Sequence, residues 1–135
     1  MKINTEFTIK SIINTYENID FTKVSSEEIQ KEELKLGSLP NELKELYLKL
    51  GYGSIENGFF TIHFLIEPED IYDEISAKEL SGKIIVGDDG CGDCYAYDYK
   101  NNWKFWYIDC NCEFNELEGL YGNFIDYLYQ LTLRE

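Results

Sequence analysis

Apolar residues recur at helical spacing through the first third of the chain. A first helix is predicted within residues 1–20 from five apolar positions: Ile9, Ile12, Ile13, Tyr16 and Ile19. Ser25 and Glu28 have the spacing of a capping box, which predicts the start of a second helix. This helix is expected to end near Gly37, because glycine is favoured just after the last helical turn.

Proline and glycine mark the two ends of a third helix. Pro40 fits its first turn, where the missing N–H would have no intrahelical partner, and Gly51 follows its last turn. The helix is expected to bury one stripe of side chains: Leu43, Leu46, Tyr47 and Leu50. A last helix is expected to begin near Asn123 and to bury a similar stripe, made of Phe124, Leu128 and Leu131.

Between the third and the last helix, the hydrophobic period changes from helical to alternating. A short helical turn is predicted at 68–74, and four strands are predicted at residues 59–65, 83–86, 94–99 and 103–109. The last two strands form a predicted hairpin whose loop places Asp98 opposite Lys104 as a favourable charge pair. In that register six aromatic residues share one face: Tyr95, Tyr97, Tyr99, Trp103, Phe105 and Tyr107.

These elements predict an α+β fold in a single domain that covers residues 1–135. We expect a largely antiparallel sheet of about four to six strands, with the helices packed mainly against one face. A chain of 135 residues can bury a hydrophobic core of its own. The sequence contains no internal repeat and no low-complexity linker that would divide it.

The balance of charge is strongly acidic. Twelve Lys and Arg residues stand against 26 Asp and Glu residues, which gives a formal net charge of −14. This charge argues against direct binding of nucleic acid or of an anionic membrane, and it either favours a basic partner or only maintains solubility. Carboxylates concentrate in two clusters: Glu67, Glu69, Asp70, Asp73 and Glu74 in one, and Asp88, Asp89 and Asp93 in the other.

The four cysteines form two close pairs separated by fifteen residues: Cys91 with Cys94, and Cys110 with Cys112. Because the sequence shows neither a signal peptide nor a transmembrane run, we expect a cytoplasmic protein with reduced thiols. Two such pairs can hold zinc through four thiolates. However, strand alternation turns Cys91 away from the other three, so small apolar thiols near a strand end are the preferred interpretation and no metal is predicted.

Motifs for catalysis are incomplete. A zinc deaminase needs a Glu two residues after its His, but Phe64 and Leu65 follow His63. Gly90 and Gly92 lack the third glycine of a dinucleotide-binding loop, and the neighbouring aspartates would repel a pyrophosphate. We expect these glycines to allow positive φ angles in a tight turn. We therefore predict no catalytic residue and no cofactor, and we interpret His63 as a surface residue of a strand.

Three motifs, in this order, resemble those of the SUKH superfamily, which contains the Smi/Knr-type domains. They are a Leu-Pro helix that starts at 39–43 and ends at Gly51, a glycine–aspartate loop at 85–93, and a Phe-x-x-x-Leu helix at 124–128. The resemblance covers residues 25–131. Cys91 and Cys94 depart from it, since small or polar residues are expected at those positions.

The resemblance implies a SUKH-like α+β domain without enzymatic activity. Bacterial members of this superfamily are mostly immunity proteins that neutralise a toxin, often a nuclease or a deaminase, whereas fungal members regulate cell-wall synthesis. The leading hypothesis is thus an immunity protein that binds a basic toxin domain through an acidic surface. The candidate contacts, chosen by charge and loop position with Tyr95 as an exposed anchor, are Glu67, Glu69, Asp70, Asp88, Asp89, Asp93 and Tyr95. The alternatives are a regulatory protein-binding domain and a small zinc-stabilised module.

Overall fold

The computed structural model describes residues 4–109, 113–116 and 122–133, which form five α-helices and one sheet. The helices are α1 (Thr5–Thr15), α2 (Ser26–Leu36), α3 (Asn41–Lys49), α4 (Glu74–Glu79) and α5 (Phe124–Thr132). The strands are β1 (Ile19–Thr22), β2 (Tyr52–Ile55), β3 (Phe60–Ile66), β4 (Lys83–Asp88), β5 (Cys94–Asp98), β6 (Lys104–Ile108) and β7 (Phe114–Glu116).

The seven described strands pair in the order of the sequence, and every pair is antiparallel. The predicted α+β class and largely antiparallel sheet are therefore confirmed. Four of these strands, β3 to β6, were placed from the sequence, whereas β1, β2 and β7 were not. The segment of β2 was interpreted as a turn because of its glycines. Gly53 instead lies in β2, where an added Cβ would sit 1.9 Å from the backbone oxygen of Asp20 in β1. Glycine thus permits the close pairing of these two strands.

Two clusters of buried side chains lie on opposite faces of the sheet. The larger cluster combines residues of α1, α2, α3 and α5 with inward-facing residues of the strands, and Tyr95 stacks on Tyr127 of α5 at 4.1 Å between ring centroids. The smaller cluster contains Leu80, which follows α4, and four strand residues that alternate with those of the larger cluster: Ile85, Cys94, Ala96 and Ile108. The helices therefore pack mainly against one face, as predicted.

Helix ends follow the local signals of the sequence. Ser25 and Glu28 form a complete capping box at the start of α2, and Gly37 ends this helix with φ 89°. The side chain of Asn123 caps α5 by accepting a hydrogen bond from the backbone N–H of Asp126 at 2.9 Å. The predicted positions of these helices are confirmed.

The hairpin of β5 and β6 has the predicted register, with Asp98 opposite Lys104. The carboxylate of Asp98 also pairs with Lys83 of β4, at 3.4 Å between Nζ and Oδ2. Both side chains of this ion pair are largely shielded from water. An ion pair between β4 and β5 thus stabilises this end of the sheet.

Tyr97 joins the sheet to the last helix. Its side chain is only 1% exposed, and its hydroxyl oxygen accepts a hydrogen bond from the backbone N–H of Phe124, the first residue of α5, at 2.9 Å. We expect Tyr97→Phe to lower the free energy of unfolding by about 1–3 kcal/mol, because it leaves this buried N–H without a partner. Urea denaturation followed by circular dichroism measures the effect.

Tyr52→Phe is the matched control for this prediction. Tyr52 stacks on Phe64, but its hydroxyl forms no hydrogen bond within the described part of the chain. We expect this control to change stability by less than about 0.5 kcal/mol. Equal losses in the two variants would show that the Tyr97 hydroxyl does not anchor α5.

Candidate functional site

The two acidic clusters lie at opposite ends of β4. Residues 67–82, here called the acidic connection, join β3 to β4, and residues 88–93, here called the central loop, join β4 to β5. Because β4 has six residues and a strand rises about 3.3 Å per residue, the two ends are about 17 Å apart. The structure therefore presents two separate acidic surfaces.

The central loop is a tight turn built on glycine and aspartate. Gly90 and Gly92 have φ angles of 76° and 102°, so the prediction that they adopt positive φ is confirmed. The side chain of Asp89 accepts hydrogen bonds from the backbone N–H groups of Cys91 at 2.9 Å and Asp93 at 3.2 Å. This side chain therefore closes the turn from within, as aspartates commonly do.

Asp88 is paired with His63 across strands β4 and β3. Nε2 of His63 donates to one oxygen of the Asp88 carboxylate, and the backbone N–H of Gly90 donates to the other at 2.8 Å. The hydrogen bond from His63 is the main reason that the pKa of Asp88 is lowered. The interpretation of His63 as a simple surface residue was incomplete, since it is half-buried and holds the start of the central loop.

Asp93 is held by a residue of β6. The hydroxyl of Tyr107 donates to its carboxylate at 2.8 Å. This hydrogen bond is the main cause that raises the pKa of Tyr107 to about 12. All three aspartates of the central loop therefore accept hydrogen bonds from within the protein.

Gly87 precedes the central loop and has a different role from the two loop glycines. A Cβ at this position would lie 2.9 Å from the Cζ atoms of both Phe60 and Phe124. Its φ angle is not in the positive range that favours glycine. Glycine is needed here because two aromatic rings of the core occupy the space that a side chain would fill. No local signal in the sequence indicates this crowding.

Tyr95 lies in the core, so the expectation of an exposed aromatic anchor was wrong. Its side chain is 8% exposed and packs between the sheet and α5. Burial raises the pKa of its hydroxyl above the usual range. Strand alternation turns Tyr95 toward the helices, so it is not available to anchor a partner.

The two described cysteines differ in environment. Cys91 is exposed, whereas Cys94 is buried in the smaller core cluster, where burial raises the pKa of its thiol. The buried Cys94 therefore packs in the core as a small apolar side chain. Cys110 and Cys112 lie outside the described residues. Within the described ranges, no three His, Cys, Asp or Glu side chains are grouped to hold a metal ion.

The acidic connection holds a carboxylate-lined cleft. The cleft has a volume of about 440 Å³, and Glu67, Glu69, Glu74, Lys78 and Tyr99 are among the residues that line it. Glu67 is half-buried in this cleft. Burial raises the pKa of its carboxyl group, and repulsion from the Glu69 carboxylate adds a smaller effect in the same direction. Such a carboxylate is stabilised by any cation that enters the cleft.

The fold and these surfaces define a small α+β domain that displays carboxylates at both ends of a central strand. The model of the SMI1/KNR4 family (SUKH-1) matches residues 23–130, and the chain belongs to this family. No curated protein and no solved structure matches the chain. Across the residues that the structure describes, every helix is too short or too polar to cross a membrane.

Proposed function

We propose that this protein is an immunity protein that binds and neutralises a cognate bacterial toxin domain. Membership of the SMI1/KNR4 family fits immunity or regulatory roles and protein binding in general. The observation that carries the more specific proposal is charge. A formal net charge of −14 is carried by a small domain that has exposed carboxylates in the acidic connection and half-buried carboxylates in the central loop.

The proposed mechanism is a stoichiometric block of a basic toxin surface. A nuclease or a deaminase that acts on nucleic acid needs a basic surface for the phosphates of its substrate. Carboxylates on the immunity protein would imitate those phosphates and accelerate association by electrostatic steering. The candidate contacts are Glu67, Glu69 and Asp70 beside one end of β4 and Asp88, Asp89 and Asp93 at the other end, and either group could supply them.

This proposal includes three simpler statements about the protein. It acts in the cytoplasm, it works as one domain over residues 1–135, and it binds its partner without catalysing a reaction. A regulatory protein-binding role, like that of the fungal members, is the second candidate, because the same family match supports it. In that role the acidic surfaces would contact a basic host protein.

Binding to the toxin domain encoded beside this gene is the decisive experiment. The full chain and a catalytically inactivated toxin domain are mixed in a calorimeter, and the active toxin is assayed with increasing amounts of the full chain. We expect one-to-one binding with a dissociation constant well below 1 μM and complete inhibition at equal amounts. No binding at micromolar concentration excludes this toxin as the cognate partner, and an isolated gene weakens the immunity hypothesis.

Salt dependence tests the role of charge in this proposal. Between 50 mM and 500 mM NaCl, we expect the association rate constant to fall by about tenfold or more, because salt screens the attraction between exposed charges. The dissociation rate constant should change much less. Stopped-flow measurements with the inactivated toxin domain give both constants. An association rate that does not depend on salt would contradict electrostatic steering.

A further inference from the structure

The carboxylates of the two acidic surfaces differ in what they already bind. In the central loop, Asp88 is paired with His63, Asp89 closes the turn through two backbone N–H groups, and Asp93 accepts the Tyr107 hydroxyl. These carboxylates hold the loop together. A partner that bound these three carboxylates would have to compete with the hydrogen bonds that maintain this end of the sheet.

The carboxylates of the acidic connection form far fewer hydrogen bonds within the protein. Asp73 caps α4 through the backbone N–H of Ser76 at 2.8 Å. Within the described part of the chain, the others form neither a hydrogen bond nor an ion pair: Glu67, Glu69, Asp70, Glu74 and Glu79. Residues 67–79 contain six carboxylates and one lysine, which gives this short segment a formal charge of −5. This surface can bind a cation without a loss of internal contacts.

The same segment exposes two large apolar side chains. Ile71 is 44% exposed and Ile75 is 77% exposed. In the sequence, Ile71 directly follows Asp70, and Ile75 directly follows Asp73 and Glu74. Apolar side chains rimmed by charged residues are typical of protein-binding surfaces, where the apolar residues supply the buried centre and the charges the rim.

The cleft beside these residues has room for one long side chain. Its volume of about 440 Å³ is bounded by Glu67, Glu69, Glu74 and Lys78 on the connection and by Tyr99 next to β5, with Nζ of Lys100 5.9 Å from the centroid of the Tyr99 ring. Three carboxylates against one lysine leave the lining with a net negative charge. Lysine and arginine have long apolar stems that pack on a tyrosine ring and a cationic head that binds carboxylates. The chemistry of the cleft therefore matches a basic side chain of a partner protein.

We propose that the acidic connection, and not the central loop, is the docking surface, and that its occupant is a basic protein surface. The partner inserts a lysine or an arginine into the cleft and covers Ile71 and Ile75 with an apolar depression. Complementary charge identifies this occupant, since the segment carries five net negative charges beside the apolar pair. The inference rests on the proposed function, because the partner is the toxin domain described above.

Two pairs of variants of the full chain test this inference against the inactivated toxin domain encoded beside the gene. In the apolar pair, Ile75→Ser is compared with Ile13→Ser, which changes an isoleucine of α1 that is 50% exposed. In the charge pair, the test variant carries Glu69→Lys and Asp70→Lys together. The control variant carries Asp20→Lys and Glu27→Lys together. Both charge variants have the same net charge, and all four replaced carboxylates are exposed.

We expect the dissociation constant to rise about tenfold for Ile75→Ser and about 100-fold for the double variant of the connection. Each control should stay within about threefold of the wild type. Thermal denaturation confirms that the variants are folded. Carbodiimide crosslinking of the wild-type complex gives an independent readout, and we expect the crosslinks to partner lysines to lie at Glu69, Asp70 or Glu74.

The outcomes separate the inference from the proposed function. If the wild type binds but the connection variants bind as tightly as their controls, the inference is overturned while the immunity function stands. Crosslinks confined to the central loop would overturn it as well. If the wild type does not bind the toxin domain, the proposed function fails for this pair and the inference fails with it. Selective weakening by both connection variants supports the inference.

Discussion

Replacing Gly87 by alanine should lower the free energy of unfolding by about 1–3 kcal/mol. The added methyl group would lie 2.9 Å from the Cζ atoms of Phe60 and Phe124, and both rings are fully buried. Neither ring can move away without opening the packing between the sheet and α5. Urea denaturation at 25 °C, followed by circular dichroism, measures the loss.

A double-mutant cycle separates crowding from other effects of Gly87→Ala. Phe124→Leu removes ring atoms from the contact, although it destabilises the protein on its own by creating space. If crowding is the cause, Phe124→Leu should cost less in the Gly87→Ala background than in the wild type, by about 1 kcal/mol. Additive losses would show that the Phe124 ring does not limit the residue at position 87.

Asp88→Asn should lower the free energy of unfolding at pH 7 by about 1.5–3 kcal/mol. The carboxylate accepts charge-assisted hydrogen bonds from His63 and from the N–H of Gly90, and bonds to a charged group contribute about this much. Asparagine keeps the shape but loses the charge. Urea denaturation at several pH values measures the difference between the two proteins.

The pH dependence of this difference follows from the lowered pKa of Asp88. A carboxyl group whose pKa is lower in the folded state adds stability that is fully present above its unfolded pKa, about 3.9. That stability is lost as the pH falls through the folded pKa. The difference between wild type and Asp88→Asn should therefore persist down to about pH 5 and shrink below about pH 4.

Asp20→Asn is the control for the aspartate at position 88. Asp20 is exposed, and its side chain forms no hydrogen bond within the described part of the chain. Its replacement should change stability by less than about 0.5 kcal/mol. A difference between wild type and Asp88→Asn that grows as the pH falls from 5 to 3 would contradict the role assigned to the ionised Asp88.

Predictions from the sequence succeeded where the determining signal lies within a few residues. The capping box at Ser25 and Glu28, the glycine after α2 and the cap at Asn123 act on the backbone nearest to them. The hairpin of β5 and β6 was placed correctly for the same reason, because a short loop determines which residues face each other. These features needed no knowledge of distant residues.

Predictions failed where the partner of a residue lies far along the chain. The segment that became β2 contains turn-forming glycines, but it pairs with β1, more than 25 residues earlier. Tyr95 was expected at the surface, although α5 covers its face of the sheet. The pairing of His63 with Asp88 joins residues that are 25 positions apart. Periodicity shows that two faces exist but not which face is covered.

The sequence by itself determined α1, α2, α3 and α5, four of the seven described strands, the hairpin register, the acidic charge and the family resemblance. The helical turn predicted at 68–74 is present only at Pro68–Asp70, and α4 (Glu74–Glu79) was not predicted. Capping, turn geometry and hydrophobic period are local, so they can be read without a fold. Only the tertiary structure decided the surroundings of each acidic cluster. Chain folding places His63, Tyr107 and the backbone N–H groups against the aspartates of the central loop. It leaves the carboxylates of the acidic connection exposed beside Ile75, because no other described element covers that side of α4.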